Sequence, residues 1–124
     1  MKMVIDSSIL IDYIRGGSKW EEFVQEVSAD TEFYLPTIVI YELFAGASTK
    51  SLKHSQELTD FLKRFEKIDL TEQIAKRAGE LFRDLSQKIE IPDYIIAASA
   101  LEIGGAVVTL NQKHFAQIPQ LKLY

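Results

Sequence analysis

The sequence has no cysteine, only three prolines and a single tryptophan. Without thiols it can form neither a disulfide nor a thiolate metal site, so packing alone must hold it together. Long apolar runs are missing too. The opening stretch is interrupted at Asp6 and Asp12, too early for a signal peptide. Nothing else approaches the roughly 20 apolar residues that a bilayer requires. A cytoplasmic protein without membrane contact is the expectation. Positive charge is also scarce, with a formal net charge of −4. A protein that gripped nucleic acid by charge alone would be basic. An acidic one needs local lysines, arginines or bound cations, which disfavours simple DNA binding but not a nuclease whose acids hold a metal.

What is present is an ordinary globular composition, 47% apolar and 26% charged in 124 residues. That length predicts one domain over residues 1–124, with a radius of gyration of roughly 14 Å. About two thirds of the unfolded surface can be buried at this size, enough for a real core.

Strand and helix patterns alternate along the chain. Met3-Val4-Ile5 reads as a buried strand ending at Asp6, with Ser7 or Ser8 capping a short helix from Ile9 to Arg15. Ser18 and Glu21 have capping-box spacing before a helix with Trp20, Phe23, Val24 and Val27 on one face. Phe33-Tyr34-Leu35 is a strand stopped by Pro36, and Thr37 reads as the cap of a helix running to about Ala47. Leu58, Phe61, Leu62 and Phe65 stripe the next helix, and Lys67–Leu70 is a brief strand. Thr71 opens a helix with Ile74, Ala78, Leu81 and Leu85 on one side. Pro92 occupies a first helical position, and Gly104-Gly105 closes that helix. Ala106–Leu110 is the strongest strand signal; Asn111 leads into a turn to Phe115, and Gln120–Tyr124 supplies an edge strand. This alternation predicts an α/β fold, a three-layer α/β/α sandwich with a mainly parallel sheet whose interior holds Met3–Ile5 and Ala106–Leu110.

Polar residues then stand out against these apolar elements. Glu42 is the only charge in Ile38–Ala47, a segment apolar all round, as buried helices usually are; a buried ion pair or an exposed patch at one end of the helix is the competing reading. A lone buried carboxylate is costly unless it is paired or ligates a metal. Asp93 falls in the first turn of an apolar helix, where the macrodipole alone also favours an acid. Asp6 taken singly is what an Asx-type cap looks like, Asn111 is what an N-cap looks like, and His114 is what a surface histidine looks like. Together they lie at strand ends or helix starts, which share one edge in a parallel sheet. Carboxylates gathered there cannot all stay ionised without a cation. Oxygen ligands without thiolate select Mg²⁺ or Mn²⁺, suited to activating water against a phosphodiester.

Val4–Asp12, Tyr41-Glu42-Leu43, Pro92–Ala98 and Thr109–Phe115 resemble, in order and spacing, the motifs of PIN-domain ribonucleases. Within that superfamily the chain is most similar to VapC-type toxins of toxin–antitoxin pairs, over nearly its whole length. The resemblance implies a PIN-like α/β/α fold and an Mg²⁺- or Mn²⁺-dependent endoribonuclease. It also implies a metal-binding acidic triad of Asp6, Glu42 and Asp93, supported by the hydroxyl of Ser7 and by Asn111. The family often carries a further aspartate where His114 stands, a departure that bears on how a second metal is held. It further implies a homodimer and a small antitoxin that masks the site. Arg15, Lys19, Lys50, Lys53 and Lys113 are candidates for contacting RNA phosphate, though each also reads as a solvated surface charge.

Two other readings compete. A receiver-type phosphoacceptor module has this length and aspartates at strand ends. It needs an acidic pair at the first strand, a lone aspartate after the third and a lysine after the fifth. Asp69 follows the third strand, but no acidic pair accompanies Asp6 and no lysine adjoins Val107–Asn111 before Lys113. A catalytically inactive PIN-like scaffold would have no use for all three of Asp6, Glu42 and Asp93.

Overall fold

Three consecutive apolar residues, Met3, Val4 and Ile5, suit a strand covered on both faces, as interior strands of parallel sheets are. In the structure, a computed structural model that describes residues 1–124, they belong to β1 (Lys2–Ile5) and are fully buried. β2 (Glu32–Pro36) and β4 (Ala106–Val108) flank β1, with β3 (Glu66–Ile68) and β5 (Lys122–Leu123) at the edges. All four pairings are parallel, in the order β3-β2-β1-β4-β5. Val4 stands opposite Tyr34 on one side and Val107 on the other, and Ile5 opposite Val108.

The chain steps outward from β1 to β2 and β3, then returns across the sheet to β4 and β5. Parallel crossovers are right-handed, so steps in opposite directions lay helices on opposite faces. The reversal lies between β1 and β4, and open parallel sheets bind ligands at the carboxyl ends of the strands where order reverses. This order also separates the fold from the receiver type, whose sheets run 2-1-3-4-5.

Seven α-helices connect the strands: α1 (Ser7–Ile14), α2 (Lys19–Glu26), α3 (Thr37–Phe44), α4 (Leu52–Leu62), α5 (Glu72–Asp84), α6 (Ile91–Ile103) and α7 (Gln112–Phe115). Their inner faces and the sheet close one core cluster, in which Trp20 meets Phe23, Phe33, Phe61 and Phe65 at ring separations of 5.3–6.0 Å. Thr71 caps α5 as expected, accepting from the Ile74 N–H at 3.2 Å. Gly104 ends α6 in the left-handed conformation, at φ 69°.

Several boundaries differ from the sequence reading, each for a local reason. Asp6, not Ser7 or Ser8, is the N-cap of α1, because the chain turns helical immediately after the strand. Ser18 does sit at the N-cap of α2, but with ψ at 0°, outside the extended range usual for an N-cap, its side chain accepts from no helix N–H. It donates to Glu22 Oε2 instead, so no reciprocal box with Glu21 forms. Val24 is exposed, leaving Trp20, Phe23 and Val27 as the inner face. Pro36 remains in β2, paired with Ile68, and is itself the N-cap of α3; Thr37 is the first helical residue. α3 stops at Phe44 because Thr49 takes its carbonyl (2.9 Å), drawing Ala47–Lys50 into a 3₁₀ turn. Phe65 lies beyond the end of α4, and the third strand stops at Ile68 rather than Leu70. Pro92 is the second residue of α6, after Ile91, with Glu90 as N-cap. β4 ends at Val108, which frees Thr109 and Leu110 from the ladder.

Candidate active site

The first residue beyond β1 is Asp6, and its backbone N–H continues the ladder by donating to the Val108 carbonyl at 3.0 Å. This carries its side chain to the edge where the strand order reverses, 2% exposed. Two hydroxyls donate to a single oxygen of its carboxylate: Ser8 Oγ and Thr109 Oγ1 each lie 2.7 Å from Oδ2. The other oxygen, Oδ1, receives neither. The hydroxyls are held in turn by backbone, since Leu110 N–H donates to Ser8 Oγ and Asn111 N–H to Thr109 Oγ1, both at 2.9 Å. The two hydroxyl oxygens are 3.3 Å apart. Each has a single proton, already given to Asp6, so that contact carries no proton of its own.

Glu42 projects from the second turn of α3. Its Oε1 is buried with no hydrogen-bond partner. Burial pushes its pKa up to about 7, aided by the charges of Asp6 and Asp93 and opposed by the Ser7 hydroxyl. Asp93, in the first turn of α6, is buried as well. Burial and then the Asp6 charge raise its pKa, while His114 and the backbone bond to Glu90 work against that rise. His114 Nδ1 stands 3.2 Å from Asp93 Oδ2.

The structure therefore brings Asp6, Glu42 and Asp93 within electrostatic reach of one another, with Ser7 against Glu42 and His114 against Asp93. It does not close them into a finished cage: no three Asp, Glu or His side chains stand at metal-ligand spacing. Three mutually repelling carboxylates have no reason to close further without a cation. Asn111 is the N-cap of α7, and its backbone N–H rather than its side chain serves the site, through Thr109.

The basic candidates are scattered. Lys113 lies in α7 beside the site turn, whereas Arg15 caps the far end of α1, about 14 Å along the helix axis from Asp6. Lys19 opens α2, Lys50 ends the 3₁₀ turn and Lys53 is in α4. None of the five is in an ion pair. A cleft of about 360 Å³ between α1, the 3₁₀ turn and α4 contains Tyr13, His54, Glu57 and Phe61 but none of the three acids.

Sequence reasoning missed Ser8 and Thr109 as parts of the site. Ser8 reads only as a possible cap, and Thr109 as the polar end of a strand. A hydroxyl at the mouth of each of two neighbouring interior strands was the available signal.

The chain matches the PIN domain family model over residues 3–121. It is 30% identical over 123 residues to ribonuclease VapC10 of Mycobacterium tuberculosis, covering 97% of this chain and 90% of the relative. Among solved structures it is similar to VapBC2 of Rickettsia felis bound to a promoter DNA fragment. That match has a TM-score of 0.86 and 28% identity, over 100% of this chain and 98% of the other. The DNA-bound VapBC of Salmonella typhimurium gives a TM-score of 0.83 at 26% identity, over 100% and 97%. With this fold, this switch-point site and these relatives, the chain belongs to the PIN-domain family and, within it, to the VapC ribonucleases.

Proposed function

We propose that this chain is a divalent-metal-dependent endoribonuclease acting in the cytoplasm as the toxin of a toxin–antitoxin pair. One observation carries the metal reading: Glu42 Oε1 is buried without a partner, beside two further carboxylates. An unsatisfied buried acceptor costs about 1–3 kcal/mol, and more when charged. A hard cation removes that cost, and an oxygen-only donor set fits Mg²⁺ or Mn²⁺. Asp6, Glu42 and Asp93 are the residues that would hold it. When bound, such an ion polarises a phosphate oxygen and acidifies a coordinated water.

The chain's own residues prepare that chemistry. Asp6 is held in one orientation by its two hydroxyl donors. Glu42 exchanges its proton near neutral pH, so its carboxylate is available above that range. His114 steadies Asp93 through Nδ1 and leaves Nε2 uncommitted beside the site. Because the chain is acidic overall, phosphate recognition must be local. Lys113 is the basic residue nearest the site turn, with Arg15, Lys19, Lys50 and Lys53 as further candidates.

RNA as substrate and an antitoxin as partner are supported by the names of the relatives, a ribonuclease and two VapBC assemblies. A homodimer is supported by an apolar groove of about 330 Å³ between α5 and α6, where Leu70, Phe82 and Ile91 are exposed. The test of activity is cleavage of labelled RNA with Mn²⁺, with chelator, and by Asp93→Asn. Cleavage that needs the metal and the acid is expected; cleavage that survives in chelator or in the variant overturns the metal reading. Light scattering at micromolar concentration, alone and after co-expression with a candidate antitoxin, tests the partners. A strict monomer that copurifies with nothing refutes them.

A further inference from the structure

We infer that Ser8 and Thr109 are positioning residues for the metal site, aiming Asp6 so that one defined oxygen faces the cation. The inference rests on the metal reading of Asp6, Glu42 and Asp93 given above. An aspartate carboxylate rotates about a broad, two-fold torsion, so a strand end places its carbon but does not choose which oxygen points where. Here two O–H donors, each 2.7 Å away, converge on Oδ2 alone. Turning the carboxylate plane would break both bonds, whereas a two-fold flip only exchanges equivalent oxygens, so the clamp fixes the plane and leaves one oxygen free.

The donors are themselves fixed. Ser8 Oγ and Thr109 Oγ1 accept from the backbone N–H groups of Leu110 and Asn111, at 2.9 Å each. A hydroxyl that accepts a backbone proton has its own proton directed elsewhere, and Asp6 is the acceptor in place. Orientation thus passes from the backbone after β4, through two hydroxyls, to Asp6. Residues 6 and 109 are 103 positions apart, so the clamp exists only when β1 and β4 pair in register. Oδ1, which receives neither hydroxyl, is the oxygen left for the ion.

Outer partners of this kind typically carry about 10- to 100-fold in metal affinity. Thr109→Val keeps the branched shape and removes only the hydroxyl. Its dissociation constant for Mn²⁺, measured by calorimetry on the full chain, is expected to rise by about tenfold or more, with Thr109→Ser restoring wild-type binding. RNA cleavage by Thr109→Val should recover when Mn²⁺ is raised, since the ion's ligands remain. Ser8→Ala removes the other donor and carries the same expectation, so it decides the matter if Thr109→Val does not fold. Asp6→Asn separates this inference from the reading beneath it. If Asp6→Asn loses Mn²⁺ while folded Thr109→Val and Ser8→Ala bind it as wild type does, the clamp is overturned and the metal site stands. If Asp6→Asn binds Mn²⁺ as wild type does, both are overturned.

Discussion

His114 Nδ1 lies 3.2 Å from Asp93 Oδ2, joining the turn after β4 to the first turn of α6. Burial and the charge of Asp6 push the Asp93 carboxyl above its ordinary range, and the imidazole is a main influence pulling it back. Removing the ring in His114→Ala should let that carboxyl rise further. The ionised form then appears at higher pH, so the acid limb of Mn²⁺-dependent cleavage moves upward. A pH–rate profile that is unchanged in the variant would show that His114 does not tune Asp93.

Glu42 should make the metal-free protein less stable as pH rises. Its pKa is about 7 in the fold against an ordinary 4.5, so the folded state binds the proton more tightly. Between those values the folded chain holds more protons than the unfolded one, and stability falls with rising pH. Glu42→Gln abolishes this slope. In chelator it should melt at or above wild type at pH 8, the difference closing toward pH 4.5. A variant that melts well below wild type at pH 8 would contradict the assignment.

Asp93→Asn sets two effects against each other. The helix N-terminus favours a negative charge by about 0.3–1 kcal/mol. Burial and Asp6 oppose it, and the raised pKa says that the opposing effects win. Metal-free stability should therefore hold or rise while RNA cleavage drops by orders of magnitude. Thermal melting in chelator, paired with an Mn²⁺ cleavage assay, checks both. An earlier melt with undiminished cleavage would make Asp93 a structural acid.

Trp20 is the centre of the aromatic cluster joining α2, β2 and the end of α4. It is buried and meets four rings, so Trp20→Ala should cost about 3–5 kcal/mol. Denaturant unfolding measures this directly. A loss below about 1 kcal/mol, close to that of a surface substitution, would mean the cluster does not pack as described.

Much of this protein follows from local spacing. Apolar runs placed β1 and β4 in the sheet interior, helical stripes marked α4 and α5, and Gly104 marked the end of α6. Burying apolar surface is non-directional, so a residue's neighbours in sequence already state which face must be covered. The three acids were legible for the same reason, since each interrupts an apolar context that would otherwise exclude charge. Caps were less legible. Thr37 and Ser8 have the right side chains, but strand pairing at Pro36 and Asp6 set the backbone first.

What only the tertiary structure decided is directional and long in sequence. That Thr109 reaches Asp6 depends on Ile5 pairing with Val108, and a slip of one residue would turn its hydroxyl to the other face. His114 meets Asp93 because α6 and α7 both begin at the same sheet edge. A hydrogen bond needs its partners within a few tenths of an ångström. Composition and periodicity carry no such information, whereas the register of a parallel sheet does.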